Sequence, residues 1–142
     1  MPSYRVTVPS SKPASNTFVY LATFDNIRDW DPSVVSARRL DEGGLRIGST
    51  FEVVVRMRRD ELPLRYEVVR LDPGALIALE AQARWFRSYD VITVASAGEG
   101  SVATYDALLE LKGLAKAATP LVDRAFRKLG DAAAEGLRRE LA

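Results

Sequence analysis

Residues 114–141, LAKAATPLVDRAFRKLGDAAAEGLRREL, decide how the rest of the chain is read. Val122, Ala125, Phe126, Leu129, Ala132, Ala133, Gly136 and Leu137 recur at steps of three and four, the period of a helix with one apolar face. Asp123, Arg124, Arg127, Lys128, Asp131, Glu135, Arg138 and Arg139 fall on the other face. There, Asp123 with Arg127 and Glu135 with Arg139 set an acid four residues before a base, each pair worth roughly 0.3 kcal/mol. The reading is therefore one long amphipathic helix, Leu114–Leu141. Pro120 either starts the helix proper at Thr119 or kinks it. Gly136 lies on the dry stripe, where it permits close approach to the sheet. Gly130 has no evident role, although a helical glycine costs about 1 kcal/mol relative to alanine.

A dry face this long needs a partner, and the partner lies upstream. Almost everything from Ser49 to Leu111 reads as strand. Thr50–Arg59 alternates most cleanly, with Phe51, Val53, Val55 and Met57 on one side. Asp60–Pro63 reads as a turn, and Leu64–Leu71 alternates again with Leu64, Tyr66 and Val68 together. Asp72-Pro73-Gly74 is a turn, followed by strands at Ala75–Ala83 and Trp85–Ala95. The sidedness of the second is open. Phe86, Ile92 and Val94 share a face with Ser88 and Asp90, while Trp85, Tyr89 and Val91 share the other. Gly98-Glu99-Gly100 closes a hairpin into Ser101–Leu111, where Ala103, Tyr105, Ala107, Leu109 and Leu111 point inward.

Before this run, Tyr4–Val8 is a strand stopped by Pro9. Ser10 or Ser11 is placed to cap a helix at Pro13–Thr23, with Phe18, Leu21 and Ala22 as its apolar stripe. Asp25 is placed to cap a short turn, Asn26–Trp30, which Asp31-Pro32 ends. Val34–Leu40 is the second strand. The whole is a single α+β domain over residues 1–142 of order βααββββββα. A curved antiparallel sheet of about seven strands wraps the terminal helix.

The 142 residues carry 47% hydrophobic side chains and a net charge of +1, without a basic stripe, so general nucleic-acid binding is not expected. No apolar run approaches the roughly 20 residues of a membrane span, and the N-terminus lacks the pattern of a secretion signal. Cytoplasmic residence without integral membrane contact is the expectation. There is no cysteine and no histidine. Disulfides, thiolate nucleophiles, a Ser-His-Asp triad and His/Cys zinc sites are excluded, and no metal or cofactor is expected. Acid–base chemistry would have to use carboxylates, Lys, Arg or Tyr.

Val6 to Pro9, Phe18-Val19-Tyr20-Leu21, Trp30-Asp31-Pro32, Gly48-Ser49-Thr50-Phe51, Tyr105-Asp106-Ala107 and Leu111-Lys112-Gly113 occur in this order between Tyr4 and Leu141. In order and spacing the chain resembles the START-like (SRPBCC) superfamily, which also contains the plant pathogenesis-related allergens, and within it the bacterial polyketide cyclase/dehydrase-type branch. The resemblance implies a helix-grip, Bet v 1-like fold. An apolar cavity lies between sheet and helix, roofed by the short helices. It also implies a lipid, polyketide, hormone or other hydrophobic small molecule as ligand, with catalysis in a minority of members. It carries no residue-by-residue set of catalytic groups.

Candidate site residues follow from the inward positions. Trp30 is either a lid over a ligand or core packing, the second being favoured because large aromatics mostly bury for packing. Tyr66 and Tyr105 are inward phenols that either orient a polar ligand atom or hydrogen-bond within the core. Val55, Met57, Phe126 and Leu129 would line a cavity. Asp90 is a weak catalytic candidate: inward, its pKa would rise by desolvation and suit acid–base work; outward, it is a solvated charge. Arg56, Arg58 and Arg59 either attract an acidic group or keep an exposed strand wet. Three functions remain: binding of a hydrophobic small molecule, aromatase/cyclase chemistry on a poly-β-ketone through Tyr66, Tyr105 and Asp90, and an interaction module with a vestigial cavity. The sequence leaves a homodimer open.

Overall fold

Seven antiparallel strands form one curled sheet in the order β1-β7-β6-β5-β4-β3-β2. The structure, a computed structural model, describes all 142 residues. The strands are β1 (Ser3–Ser10), β2 (Val34–Arg39), β3 (Thr50–Met57), β4 (Asp60–Asp72), β5 (Leu76–Gln82), β6 (Phe86–Ala97) and β7 (Gly100–Leu111). Three helices, α1 (Ala14–Ala22), α2 (Ile27–Trp30) and α3 (Thr119–Leu141), complete the helix-grip arrangement.

Alternation in the sequence becomes sidedness. Phe51, Val53, Leu64, Tyr66 and Val68 are buried. In β6 the inward face is the one carrying Phe86, Ser88, Asp90, Ile92 and Val94, which resolves the ambiguous strand. The inward residues of β7, Ala103, Ala107, Leu109 and Leu111, are buried, and Tyr105 is half-buried.

Five local readings change. Pro9 does not stop β1, which runs on to Ser10 with Pro9 opposite Val102; β1 is an edge strand, where a proline is tolerated. Asp60–Pro63 belongs to β4, and the hairpin turns at Arg58 and Arg59, with Arg58 at φ +37°. Pro63 pairs with Val54, while β5 pairs with β4 only from Tyr66↔Ala81 onward, so no second neighbour needs the missing N–H. Neither serine caps α1 by its side chain. Ser10 instead bonds Thr17 at 2.8 Å and accepts from the Lys12 N–H. Asp25 does not cap the next turn either; a 3₁₀ turn, Phe24–Asn26, leads into α2. Finally, residues Gly113–Ala118 form a 3₁₀ segment, and α3 starts at Thr119 with Pro120 in its first turn. Leu114 is outside the helix and 98% exposed.

α3 is gripped mainly over its second half. Ala133, Ala134, Leu137 and Leu141 are buried, whereas Leu121 and Leu129 are exposed. Two glycines set its approach. A methyl at Gly136 would overlap the carbonyl oxygen of Trp30, so the close approach is to α2 rather than to the sheet, and α2 and α3 touch backbone to backbone. A methyl at Gly130 would overlap the ring of Tyr4, whose hydroxyl donates to Asp131 at 2.8 Å. That ring is the reason for Gly130. Of the two helical ion pairs, Asp123–Arg127 forms at 3.0 Å. Glu135 turns instead to Arg138 at 3.6 Å, and Arg139 donates to the Asp29 carbonyl of α2. No helix is long and apolar enough to cross a membrane.

Candidate functional site

Where α3 stands off the concave face, a cavity of about 430 Å³ remains. The sheet contributes Tyr4 and Val6 (β1), Val53 and Val55 (β3), Leu64 and Tyr66 (β4), Phe86, Ser88 and Asp90 (β6), and Tyr105, Ala107 and Leu109 (β7). α3 contributes Val122, Phe126, Leu129, Ala133 and Leu137, with no charged side chain. The size falls within the roughly 300–1,000 Å³ of small-molecule sites, and the lining is mostly hydrophobic, as such sites are.

Sheet register gives the cavity two ends. Phe51, Tyr66, Ala81 and Ser88 lie on one cross-strand level. Met57 stands six positions beyond Phe51 along β3 (57 − 51), about 20 Å at strand rise. There Arg56, Met57, Arg58, Trp85, Leu121 and Leu129 form the rim. Met57 and Trp85 are each 36% exposed, and Leu129 is 50% exposed.

The inner end is polar. The Tyr105 hydroxyl donates to Asp90 Oδ2 at 2.6 Å. Ser88 Oγ donates to Asp90 Oδ1 at 3.4 Å, and Tyr66 bonds Ser88 Oγ at 3.1 Å. Asp31, just past α2, also lines the cavity and accepts from the Ser33 N–H and hydroxyl, both at Oδ1, at 2.9 and 2.7 Å. Aromatic neighbours hold the phenols. Phe24 meets Tyr66 edge-on at 5.1 Å, and Trp30 meets Tyr105 edge-on at 5.2 Å.

Electrostatics follow from burial. Asp90 is 2% exposed. Desolvation pushes its carboxyl up to about 7, with the nearby Asp31 charge adding to the rise and the Tyr105 and Ser88 hydrogen bonds opposing it. Burial likewise raises Asp31, against the Ser33 hydrogen bonds. Burial and the Asp90 charge hold Tyr66 and Tyr105 well above the ordinary phenol value. At neutral pH the phenols keep their protons, while Asp90 populates both forms. Such a carboxyl can bind a charge or exchange a proton. No group of three or more carboxylates comes together to hold a metal ion.

Among the candidates from the sequence, Val55, Met57, Tyr66, Tyr105, Phe126, Leu129 and Asp90 all lie on the cavity wall. Trp30 does not. It is 1% exposed and packs behind the wall, under Tyr105. Arg56 and Arg58 reach the rim, and Arg59 stays on the exposed hairpin. Sequence reading missed Asp31, Ser33 and Ser88. Ser88 was findable, sharing the parity of Asp90; Asp31 was hidden by its role before Pro32.

The family model described as polyketide cyclase/dehydrase and lipid transport matches residues 1–142. No curated protein matches the chain in sequence. Solved structures of similar fold include a START superfamily protein from Mycobacterium smegmatis, with TM-score 0.79 and 15% identity, covering 98% of this chain and 96% of that one. The Zhui aromatase/cyclase from Streptomyces sp. R1128 superposes with TM-score 0.73 at 16% identity over 98% of this chain and 92% of that one. A major latex-like protein from Panax ginseng gives TM-score 0.71 at 10% identity over 98% and 96%. At these identities the likeness is one of fold.

Proposed function

The chain belongs to the polyketide cyclase/dehydrase and lipid transport family, and on that premise we propose that it binds a hydrophobic small molecule, lipid- or polyketide-like, between the sheet and α3. One observation carries this reading: an apolar cavity of about 430 Å³ with a few polar groups converging at its inner end. Burial of the ligand's apolar surface supplies the affinity, and the polar end fixes its orientation. The neutral fluorophore N-phenyl-1-naphthylamine is expected to show saturable, one-to-one uptake. Val55→Trp, which fills the cavity from β3, is expected to weaken uptake at least tenfold, near 1.4 kcal/mol. Absence of saturable uptake by the wild type rejects the reading.

A second reading is favoured by the short Tyr105–Asp90 bond and the carboxyl poised near neutrality. Asp90 as general base would take a proton from a methylene between two carbonyls of a poly-β-ketone, starting an aldol-type ring closure. The apolar walls would hold the chain folded. Among the similar folds, the Streptomyces protein is described as an aromatase/cyclase. Incubation with a poly-β-ketone analogue is expected to give a cyclised product, and Asp90→Asn to slow its formation by about 10²–10⁴-fold. Turnover that survives Asp90→Asn counts against this reading.

A further inference from the structure

We infer that the cavity takes an apolar molecule ending in a protonated amine, with the amine held at the inner end by Asp90 and with Asp31 as a second carboxylate on the wall. This deepens the binding reading above and rests on it. The argument is an account of protons. Three hydroxyls surround Asp90, and each has one proton to give. Tyr105 gives its proton to Asp90 Oδ2, and Ser88 gives its proton to Asp90 Oδ1. Either hydroxyl could donate in the Tyr66–Ser88 contact; we assign Tyr66 as its donor because an ionised Asp90 offers Ser88 only acceptors. Every hydroxyl proton therefore runs toward Asp90. Towards the cavity the network presents lone pairs: those left on the Asp90 carboxylate and those on the two phenol oxygens.

Asp31 repeats the pattern. Both donors from Ser33 go to Oδ1, and no donor reaches Oδ2. Neither Asp31 nor Asp90 has an Arg or Lys within ion-pair distance. α3 brings no charged side chain to the lining, and the cavity's arginines, Arg56 and Arg58, lie at the rim. Two carboxyls thus line an apolar space with no cation of the chain paired to either. A buried carboxylate without one is unfavourable. A ligand ammonium has three donors, no acceptor and the missing charge. An alcohol brings one proton and no charge, and a carboxylate would meet two acids. The rim arginines favour entry with the amine innermost only if the ligand's other end is neutral or acidic.

The test compares n-decylamine, n-decanol and decanoic acid as competitors of N-phenyl-1-naphthylamine, a set matched in chain length. At pH 8 the amine is expected to bind at least tenfold more tightly than the alcohol, with the acid weakest. The groups facing Asp90 are Asp31, Tyr66 from β4, and Tyr105 from β7. The phenols stay protonated between pH 6 and 8, and an alkylammonium, at about 10.4, stays charged. Asp90 passes from ionised to neutral across that window. Amine affinity is therefore expected to fall about tenfold from pH 8 to pH 6, with decanol unchanged. Asp90→Asn is expected to remove both the amine preference and its pH dependence. Asp31→Asn should weaken the amine by a smaller factor. Should Asp90→Asn fail to fold, the wild-type pH series decides. Amine and alcohol within twofold of each other, or an amine affinity independent of pH, overturns the inference and leaves the binding reading standing. If no competitor and no fluorophore enters, both fall together.

Discussion

Trp30→Ala is expected to destabilise the protein by about 3–5 kcal/mol, the range for deleting a large aromatic from a packed core. Trp30 is 1% exposed, and its ring lies edge-on to Tyr105 at 5.2 Å. It ends α2, a helix of only four residues that has little stability of its own and depends on what it packs against. Urea unfolding should show a lower midpoint with an unchanged slope. Trp30→Phe, which keeps an aromatic edge for Tyr105, should recover much of the loss. A cost below about 1 kcal/mol for the alanine variant would return Trp30 to the role of a lid. The same contact can be probed from the other side. Gly→Ala inside a helix ordinarily gains about 1 kcal/mol. At Gly136 the added methyl meets a backbone carbonyl, which has no rotamer to escape into. Gly136→Ala should therefore destabilise, by about 1–3 kcal/mol.

The sequence made the fold legible wherever one face of an element is dry and the other wet. Thr50–Met57 and Leu64–Val68 alternate because the curled sheet has a concave inside and a solvated outside. The same rule failed in β6. There Ser88 and Asp90 point inward with Phe86 and Ile92, while Tyr89 and Val91 lie on the outward side, and Trp85, just before the strand, sits on the cavity rim. Period-two reading assumes that polar means outside, and a cavity with a polar inner end breaks that assumption at the site itself. Gly130 was opaque for another reason. Its cause, the Tyr4 ring, lies 126 positions away (130 − 4), and the contact arises only once β1 meets α3. Asp31 illustrates a third limit. A residue that ends a helix before proline already has a local explanation, so nothing in the sequence calls for a second. The helix reading starts at Leu114, but Gly113, at φ +56°, turns the chain into a separate 3₁₀ segment.

Stability is expected to fall by about 3 kcal/mol between pH 5 and pH 8, chiefly through Asp90. Its carboxyl titrates at about 7 in the folded state against an ordinary 3.8. The folded state therefore holds a proton that the unfolded chain has already released, so each rise in pH within that gap favours unfolding. At 1.36 kcal/mol per unit, the whole gap amounts to about 4 kcal/mol, of which the pH 5–8 window captures roughly two-thirds. The contribution is fully present below pH 3.8, is lost as pH rises to 7, and is flat beyond. Asp31, also raised, adds to the fall in the same direction. Asp41 has the opposite sign, because its hydrogen bond to Arg39 lowers its pKa, and that contribution is lost only as pH drops below the ordinary carboxylate range. The chain has no histidine, so no imidazole titration obscures the window. Denaturant midpoints measured at half-unit steps should trace the slope, and Asp90→Asn should remove most of it. Asn keeps one acceptor for Tyr105 or Ser88 and offers an amide donor to the other hydroxyl, so the variant should be the more stable protein at pH 8. A wild-type profile that stays flat from pH 5 to 8 would mean that Asp90 is ionised and compensated in the folded state. The chain supplies no cation for that, and the proposed ligand chemistry would lose its physical basis along with the slope.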